Sequence, residues 1–313
     1  MRKEWIWFIV LSLCIVLVIP FSVMRWQKEH VMMDDVEIRM LMPNGGVEKL
    51  QLEDYLLGVV AAEMPAEFEM EALKTQAVAA RTYAAKRLDK GILRDSGYDV
   101  DTTVKTQAWL SDKQMRANWG WLNYWRYRDK LKKAVSGTRG MVLMSNGDYI
   151  EAVYHSSSGR KPTERSEDVW SSSCAYLKNV SSGEENLQRY VKNFSFTSKE
   201  LHTKLGIKDP AQALTSKDFK VLVKTSVGRA KSVQVLGKVY KATQLRTLLG
   251  LPSTDLEWVI EPDRLTITTY GNGHAVGMSQ WGANDLAKNN LEAQEILIHY
   301  YPGTELVELG YKK

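Results

Sequence analysis

The sequence predicts an α+β body, built from mixed helices and short antiparallel hairpins, behind an N-terminal transmembrane helix. Three observations carry this. An uncharged apolar run opens the chain, a stretch of helical periodicity follows, and short β-prone runs flank Asn-Gly turns in the remainder. With 313 residues, 44% of them hydrophobic, the chain has enough apolar surface for one large domain or two smaller lobes flanking a cleft.

The first element is "WIWFIVLSLCIVLVIPFSVM", Trp5 to Met24, 20 residues without a charge. As a helix that length crosses a hydrocarbon layer of about 30 Å. Trp5, Trp7 and Trp26 fall near its ends, where indoles favour the interface. A cleaved signal peptide is the alternative, but no small-x-small cleavage site follows the run. Residues 1–27 therefore read as an anchor with a short cytoplasmic N-terminus, 28–35 as a stalk and 36–313 as an external body. Arg2 and Lys3, partly offset by Arg25 and Lys28, lean towards that orientation. Cys14 lies in the anchor and Cys174 is alone in the body. An intrachain disulfide framework is thereby excluded, and so is a zinc site built on two cysteines.

The body follows in order. "VEIRMLMPNGGVEKLQL" (Val36 to Leu52) predicts two short strands around Asn44-Gly45-Gly46. Leu52 to Met64 predicts a helix: Tyr55, Leu56 and Val59 fall three, four and seven residues after Leu52, on one face. A second helix, about Glu67 to Leu88, carries the stripe Leu73, Ala77, Ala80, Ala84 and Leu88. So much alanine predicts close packing by a neighbour. "WGWLNYWRYR" (Trp119 to Arg128) holds five aromatics, which either fill a core or stack on sugar rings. Further hairpins are predicted at Gly140 to Gly159, around Asn146-Gly147, and at Phe219 to Gly237. Thr243 to Gly250 reads as a short helix, Arg264 to Gly271 as a strand, and Ser279 to Tyr301 as helix broken near Asn289-Asn290.

Candidate chemistry starts at Glu63. It lies eleven residues after Leu52, on the apolar face, and in the last helical turn, because Pro65 disfavours helix at Met64. Burial and the negative helix end both disfavour its charged form, which suits a carboxylic acid that carries a proton near neutral pH. A solvated glutamate at a frayed helix end, or one paired with Arg81, fits the same pattern. Gln76 and Arg81 on the second helix could reach that helix end, which the sequence alone does not decide. "YHSSSGRKPTERSEDVW" (Tyr154 to Trp170) offers His155, Ser157 and three carboxylates on a polar loop. "YGNGHAVGMSQWGA" (Tyr270 to Ala283) packs four glycines around His274 and Gln280. Glycines let backbone approach a ligand or a strand. The stretch has neither the Lys-Ser/Thr ending of a phosphate loop nor dinucleotide spacing.

Taken in order, "VVAAEMPAEFEMEALKTQAVAARTYA", "YHSSSGRKPTERSEDVW" and "GNGHAVGMSQWGA" resemble the three signature blocks of the stage II sporulation protein D family. The resemblance covers nearly all of the body. It implies a peptidoglycan lytic transglycosylase, held at the mother-cell membrane facing the forespore and acting in engulfment. The family's catalytic acid falls in the block that places Glu63. Arg81, Gln76, His155, Ser157, His274 and Gln280 are the candidates for glycan contacts. Implied partners are glycan strands stripped of stem peptides, the amidase stage II sporulation protein P, the membrane protein stage II sporulation protein M, and the membrane. No nucleic acid and no cofactor is expected. Clostridial-type members can carry a Cys/His zinc site near the second block. Here serines follow His155, four ligands cannot be assembled, and no metal is expected. Ala275 also stands where a glycine is common in the family. The net charge of +5 suits an anionic wall only in a general way. Two alternatives stand beside this reading: a glycan-binding or amidase-modifying wall protein that does not cut, and a muramidase-type hydrolase.

Overall fold

The computed structural model describes residues 36–91, 96–103, 105–170, 172–183, 187–209 and 212–308. The expected anchor and stalk, residues 1–35, lie outside them. Among the described residues no helix is long and apolar enough to cross a membrane.

The first hairpin forms as its Asn-Gly-Gly turn predicts. Strand β1 (Glu37–Leu41) pairs antiparallel with β2 (Val47–Gln51), and the short β3 (Val100–Asp101) adds to β1 in parallel. Helix α1 (Leu52–Glu63) leaves β2 directly and stops at Glu63, because Met64 before Pro65 is extended. Helix α2 (Met70–Lys90) then runs through the centre of the first core. Its predicted alanine positions, Ala77, Ala80 and Ala84, are fully buried. They admit close neighbours: α2 packs on α1, on α3 (Asp112–Ser136), on strand β4 (Met141–Ser145), and on α7 (Gln280–Lys288) and α8 (Ala293–Tyr300) near the chain end.

The five aromatics fall on α3, which the periodicity did not predict as a helix. Gly120 breaks it at φ 71°, ψ 165°. Beyond the break the aromatics divide: Tyr124 is buried, while Trp121 and Trp125 are 78% and 58% exposed. The hairpin at Asn146-Gly147 is β4 with β5 (Asp148–Tyr149), and the terminal β14 (Glu305–Glu308) pairs with β4 on its other edge.

A second core gathers residues from Phe196 to Ile267. Strands β7 (Val191–Thr197), β11 (Asp255–Glu261) and β12 (Arg264–Tyr270) form one sheet in the order β11-β12-β7. Strands β8 (Phe219–Lys224), β9 (Ala230–Val235) and β10 (Lys238–Lys241) form another, β10-β9-β8. After the one-turn helix α4 (Ser166–Val169), helices α5 (Ser198–Leu205) and α6 (Ala242–Leu249) pack with these sheets. The hairpin predicted at Phe219 to Gly237 and the helix before Gly250 are present; β7, β11 and α5 were not predicted. The pairing is not wholly antiparallel either. Strand β6 (Tyr154–His155) pairs in parallel with β13 (Met278–Ser279). That pair brings the second and third sequence blocks side by side.

The two cores are bolted together through the loop after β6. Arg229, fully buried, donates from Nη1 to the Pro162 carbonyl and from Nη2 to the carbonyls of Ser158 and Lys161. Its Nη1 also meets Glu164 Oε1 at 3.3 Å. Arg160 and Lys161 pair with buried Asp255. Each anchor satisfies groups that burial would otherwise leave costly.

Candidate active site

A cleft of about 530 Å³ opens where these elements meet. Its lining includes Glu63, Gln107, Tyr154, His155, Trp170, Arg246 and His274. Most of these belong to the first lobe and its loops; Arg246 comes from α6 of the second.

Glu63 stands half-buried on the cleft wall, at the end of α1. Tyr55, Leu56 and Val59 on the same face are fully buried, as the period predicts. Its Oε1 accepts from the Ala108 amide at 3.1 Å and its Oε2 from Gln280 Nε2 at 3.4 Å. Burial raises its pKa above the ordinary 4.5, and the hydrogen bonds from Ala108, Gln280 and Tyr154 pull part of that rise back. The Tyr154 hydroxyl belongs to a relay. Tyr55 donates to Gln107 Oε1 at 3.1 Å, and Gln107 Nε2 donates to the Tyr154 oxygen at 3.1 Å. Tyr154 is therefore free to spend its own proton on Glu63.

The backbone beside Glu63 comes close because of a glycine. Leu110 N–H donates to the Gly58 carbonyl, and a Cβ on Gly58 would overlap the Trp109 indole. The absent side chain lets residues 107–110 lie against α1 and aim the Ala108 amide at the carboxyl. Gly277 does the same between the blocks. At φ 69° it sits where a Cβ would overlap the Val153 carbonyl oxygen. The glycines of the third block thus answer to a neighbouring strand. Ala275 adopts φ 64°, a left-handed backbone, which is the physical reason a glycine is at home there.

The two histidines are neutral members of the wall. His155 faces the Val276 carbonyl with Nδ1 at 3.1 Å and Ser158 Oγ with Nε2 at 2.7 Å, so Nδ1 carries the proton. Burial holds its pKa well below the ordinary 6.5. His274 Nδ1 accepts from the Val276 amide, which leaves its proton on Nε2. Burial, then the charge of Arg246, push its pKa down to about 4. The rings lie 5.6 Å apart, with Trp170 5.3 Å from His274. Among the described residues no group of three or more His, Cys, Asp or Glu side chains could hold a metal ion.

Of the residues expected at the site, Glu63, His155 and His274 line the cleft. Gln280 stands one layer back and holds Glu63. Gln76, fully buried, stands behind it and accepts from Gln280 at 3.3 Å. Ser157 is buried and receives the Gly159 amide. Gln76 and Ser157 are therefore supports, since side chains so enclosed have no surface for a glycan.

Arg81 requires a correction. It is fully buried and makes a two-pronged pair with Glu53, at 2.8 and 2.7 Å. It also donates to the carbonyls of Val135 and Met141. Glu53 and Glu63 are ten residues apart on α1, so Arg81 works about 15 Å from the cleft acid. The carbonyls at the end of α3 recruit it there. Tyr154, Gln107, Trp170 and Arg246 were missed. Tyr154 and Trp170 bound the second sequence block, which was a signal; Arg246 reaches the cleft only through the packing of the second lobe.

Comparison with known proteins adds to this geometry. The model of the SpoIID family, stage II sporulation protein, matches residues 44–144, the span that includes Glu63 and Ala108. The chain is similar to stage II sporulation protein D of Bacillus subtilis (strain 168): 38% identical over 271 residues, 85% of this chain and 77% of that protein. It is 37% identical to the protein of the same name from Bacillus amyloliquefaciens, over 85% of this chain and 76% of the other. It also resembles the amidase enhancer of Bacillus subtilis (strain 168), at 30% identity over 80% of this chain but 40% of that protein. Identity of this extent over most of both chains establishes that the chain belongs to the stage II sporulation protein D family.

Proposed function

We propose that the protein is a lytic transglycosylase of peptidoglycan acting in sporulation, with Glu63 as its acid and base. One observation carries the reading. Among the described residues that line the cleft, Glu63 is the one carboxyl, and burial raises its pKa. A glycoside hydrolase ordinarily places a second carboxylate to direct water or form a glycosyl-enzyme. A transglycosylase uses one. Protonated Glu63 gives its proton to the bridging oxygen between N-acetylmuramic acid and N-acetylglucosamine, and the bond breaks with oxocarbenium character. The carboxylate left behind takes the proton of the sugar's own 6-hydroxyl, which closes on C1 as a 1,6-anhydro ring. The Ala108 amide fixes the carboxyl's direction, while Tyr154 and Gln280 steady the charge between the two halves.

The apolar N-terminal run supports a membrane-held body on the outer side, in reach of the wall and of the amidase and membrane partners that the family resemblance implies. Mass spectrometry of glycan digested by the full chain tests the reading. Anhydro ends are expected from the native protein and none from Glu63→Gln. Reducing ends would make it a hydrolase. Intact strands would make it a binding or amidase-modifying protein.

A further inference from the structure

The cleft holds a cation that no carboxylate among the described residues neutralises. Arg246 projects from α6 of the second lobe into the lining. Its Nε donates to the Leu251 carbonyl at 3.3 Å, at the end of its own helix. The other guanidinium donors have no acceptor, and no carboxylate pairs with it, among the described residues. A half-buried guanidinium without a counter-ion has lost hydration and gained little in return. Burial alone accordingly pulls its pKa down. The rest of the lining does not supply the missing charge. The Glu63 carboxyl is taken up by the Ala108 amide and Gln280 and makes no ion pair with Arg246, both histidines are held neutral by burial, and the further charged residue there is another cation, exposed Lys105.

We infer that Arg246 forms an anion subsite that binds the free lactyl carboxylate of peptide-stripped N-acetylmuramic acid. The inference rests on the glycan reading above and names the residue that would tell stripped strands from peptide-bearing ones. The sugar backbone of peptidoglycan is otherwise uncharged, so a cation in its cleft must meet a substituent. Arg246 and Glu63 share one cavity of about 530 Å³, which confines that substituent to sugars next to the scissile bond. The lactyl group sits on the muramyl ring itself. Stem-peptide carboxylates begin at least one residue farther out. In a peptide-bearing strand the lactyl carboxyl is an amide and carries no charge, so the guanidinium would face it unneutralised. A planar guanidinium suits a carboxylate because it offers two parallel donors.

The test measures binding in full-length Glu63→Gln protein, so that cleavage does not enter. Three strands are compared: stripped strands with free lactyl carboxylates, the same strands with those carboxyls converted to methylamides, and peptide-bearing strands. Stripped strands should bind roughly tenfold or more tightly than the methylamides, as expected for loss of a charged hydrogen bond. Adding Arg246→Gln should remove that difference by weakening the stripped strands alone. Arg246→Lys keeps the charge and should keep part of the preference, which covers the case of a Gln variant that does not fold. A Gln variant that binds all strands as its parent does, or that weakens all of them equally, overturns the subsite. Tightest binding to peptide-bearing strands, lost with Arg246→Gln, overturns the lactyl assignment in favour of stem-peptide carboxylates. Discrimination by charge in a protein whose native form never cuts would leave the subsite standing and remove the transglycosylase reading. Cutting without discrimination would do the reverse.

Discussion

Glu63 and the two histidines respond to pH in opposite senses. The folded pKa of Glu63 lies above its ordinary 4.5, so folding is helped while the group is protonated. That help is full below 4.5 and is lost as pH rises through the folded value. Glu63→Gln keeps the shape and cannot ionise. It should abolish cleavage, leave the fold intact and melt above the native protein at neutral pH, with the gap closing in acid; thermal melts across pH check this. His274, held near 4 against an ordinary 6.5, contributes stability above 6.5 that is lost as pH falls towards 4. His274→Gln should flatten that acid decline, and equal slopes in both proteins would refute the neutral, buried imidazole. The place of Glu63, on the apolar face at the helix end, was legible because two local rules met there, the 3.6 period and the proline two residues on; its part as the acid came from the family resemblance. Arg81 and Gln76 were not, since a long side chain can serve either end of a helix. Distant carbonyls at Val135 and Met141 settle where Arg81 goes.

At the scale of elements, α1 and residues 107–110 behave as one unit because Gly58 has no side chain. Gly58→Ala forces the Trp109 ring aside, an overpacking cost of about 1–3 kcal/mol. It also displaces the Ala108 amide that favours the charged carboxyl. The variant's activity should therefore persist to higher pH than the native protein's, since the pKa of Glu63 rises further. A pH–rate profile reads this, and an unmoved limb would show that Ala108 does not govern the acid. Arg81 ties α1 to the end of α3. Because Arg81 is wholly buried and Glu53 a quarter exposed, Arg81→Ala should cost near the low end of a buried pair, about 3 kcal/mol in a denaturant titration. Its folded fraction should bind glycan normally. The first two hairpins were readable from their Asn-Gly turns, and α2 from its stripe. Helix α3 was not: Gly120 interrupts its period, and of the aromatics that either fill a core or stack on sugars, Trp121 and Trp125 face water. Strand β11 of the second lobe hides for a related reason, since it exposes Val259 and half-exposes others along its length.

For the whole molecule, the body from about Lys28 should be soluble and active without the apolar N-terminal run, and, if that run is an anchor as proposed, accessible to external protease in opened cells. Prior treatment of strands with an amidase should raise its turnover; equal rates on both substrates would remove the reason for an amidase partner. The fold of the first lobe was largely visible in the sequence, but the cleft was not, because it depends on where the second lobe packs. How that lobe joins the chain has its own consequence. It begins at Val191 on β7 and ends at Tyr270 on β12, and these two residues are directly paired. Opposed residues on antiparallel strands lie about 5 Å apart, so the lobe is an insertion whose two ends already touch. Cutting it out and splicing its ends through a tight turn should leave a smaller protein with its helical core and the Glu63–Ala108 bond in place. That protein would be an acid without a selector, blind to the charge on the strand. Loss of cooperative melting in the spliced chain would show instead that the two cores fold only together.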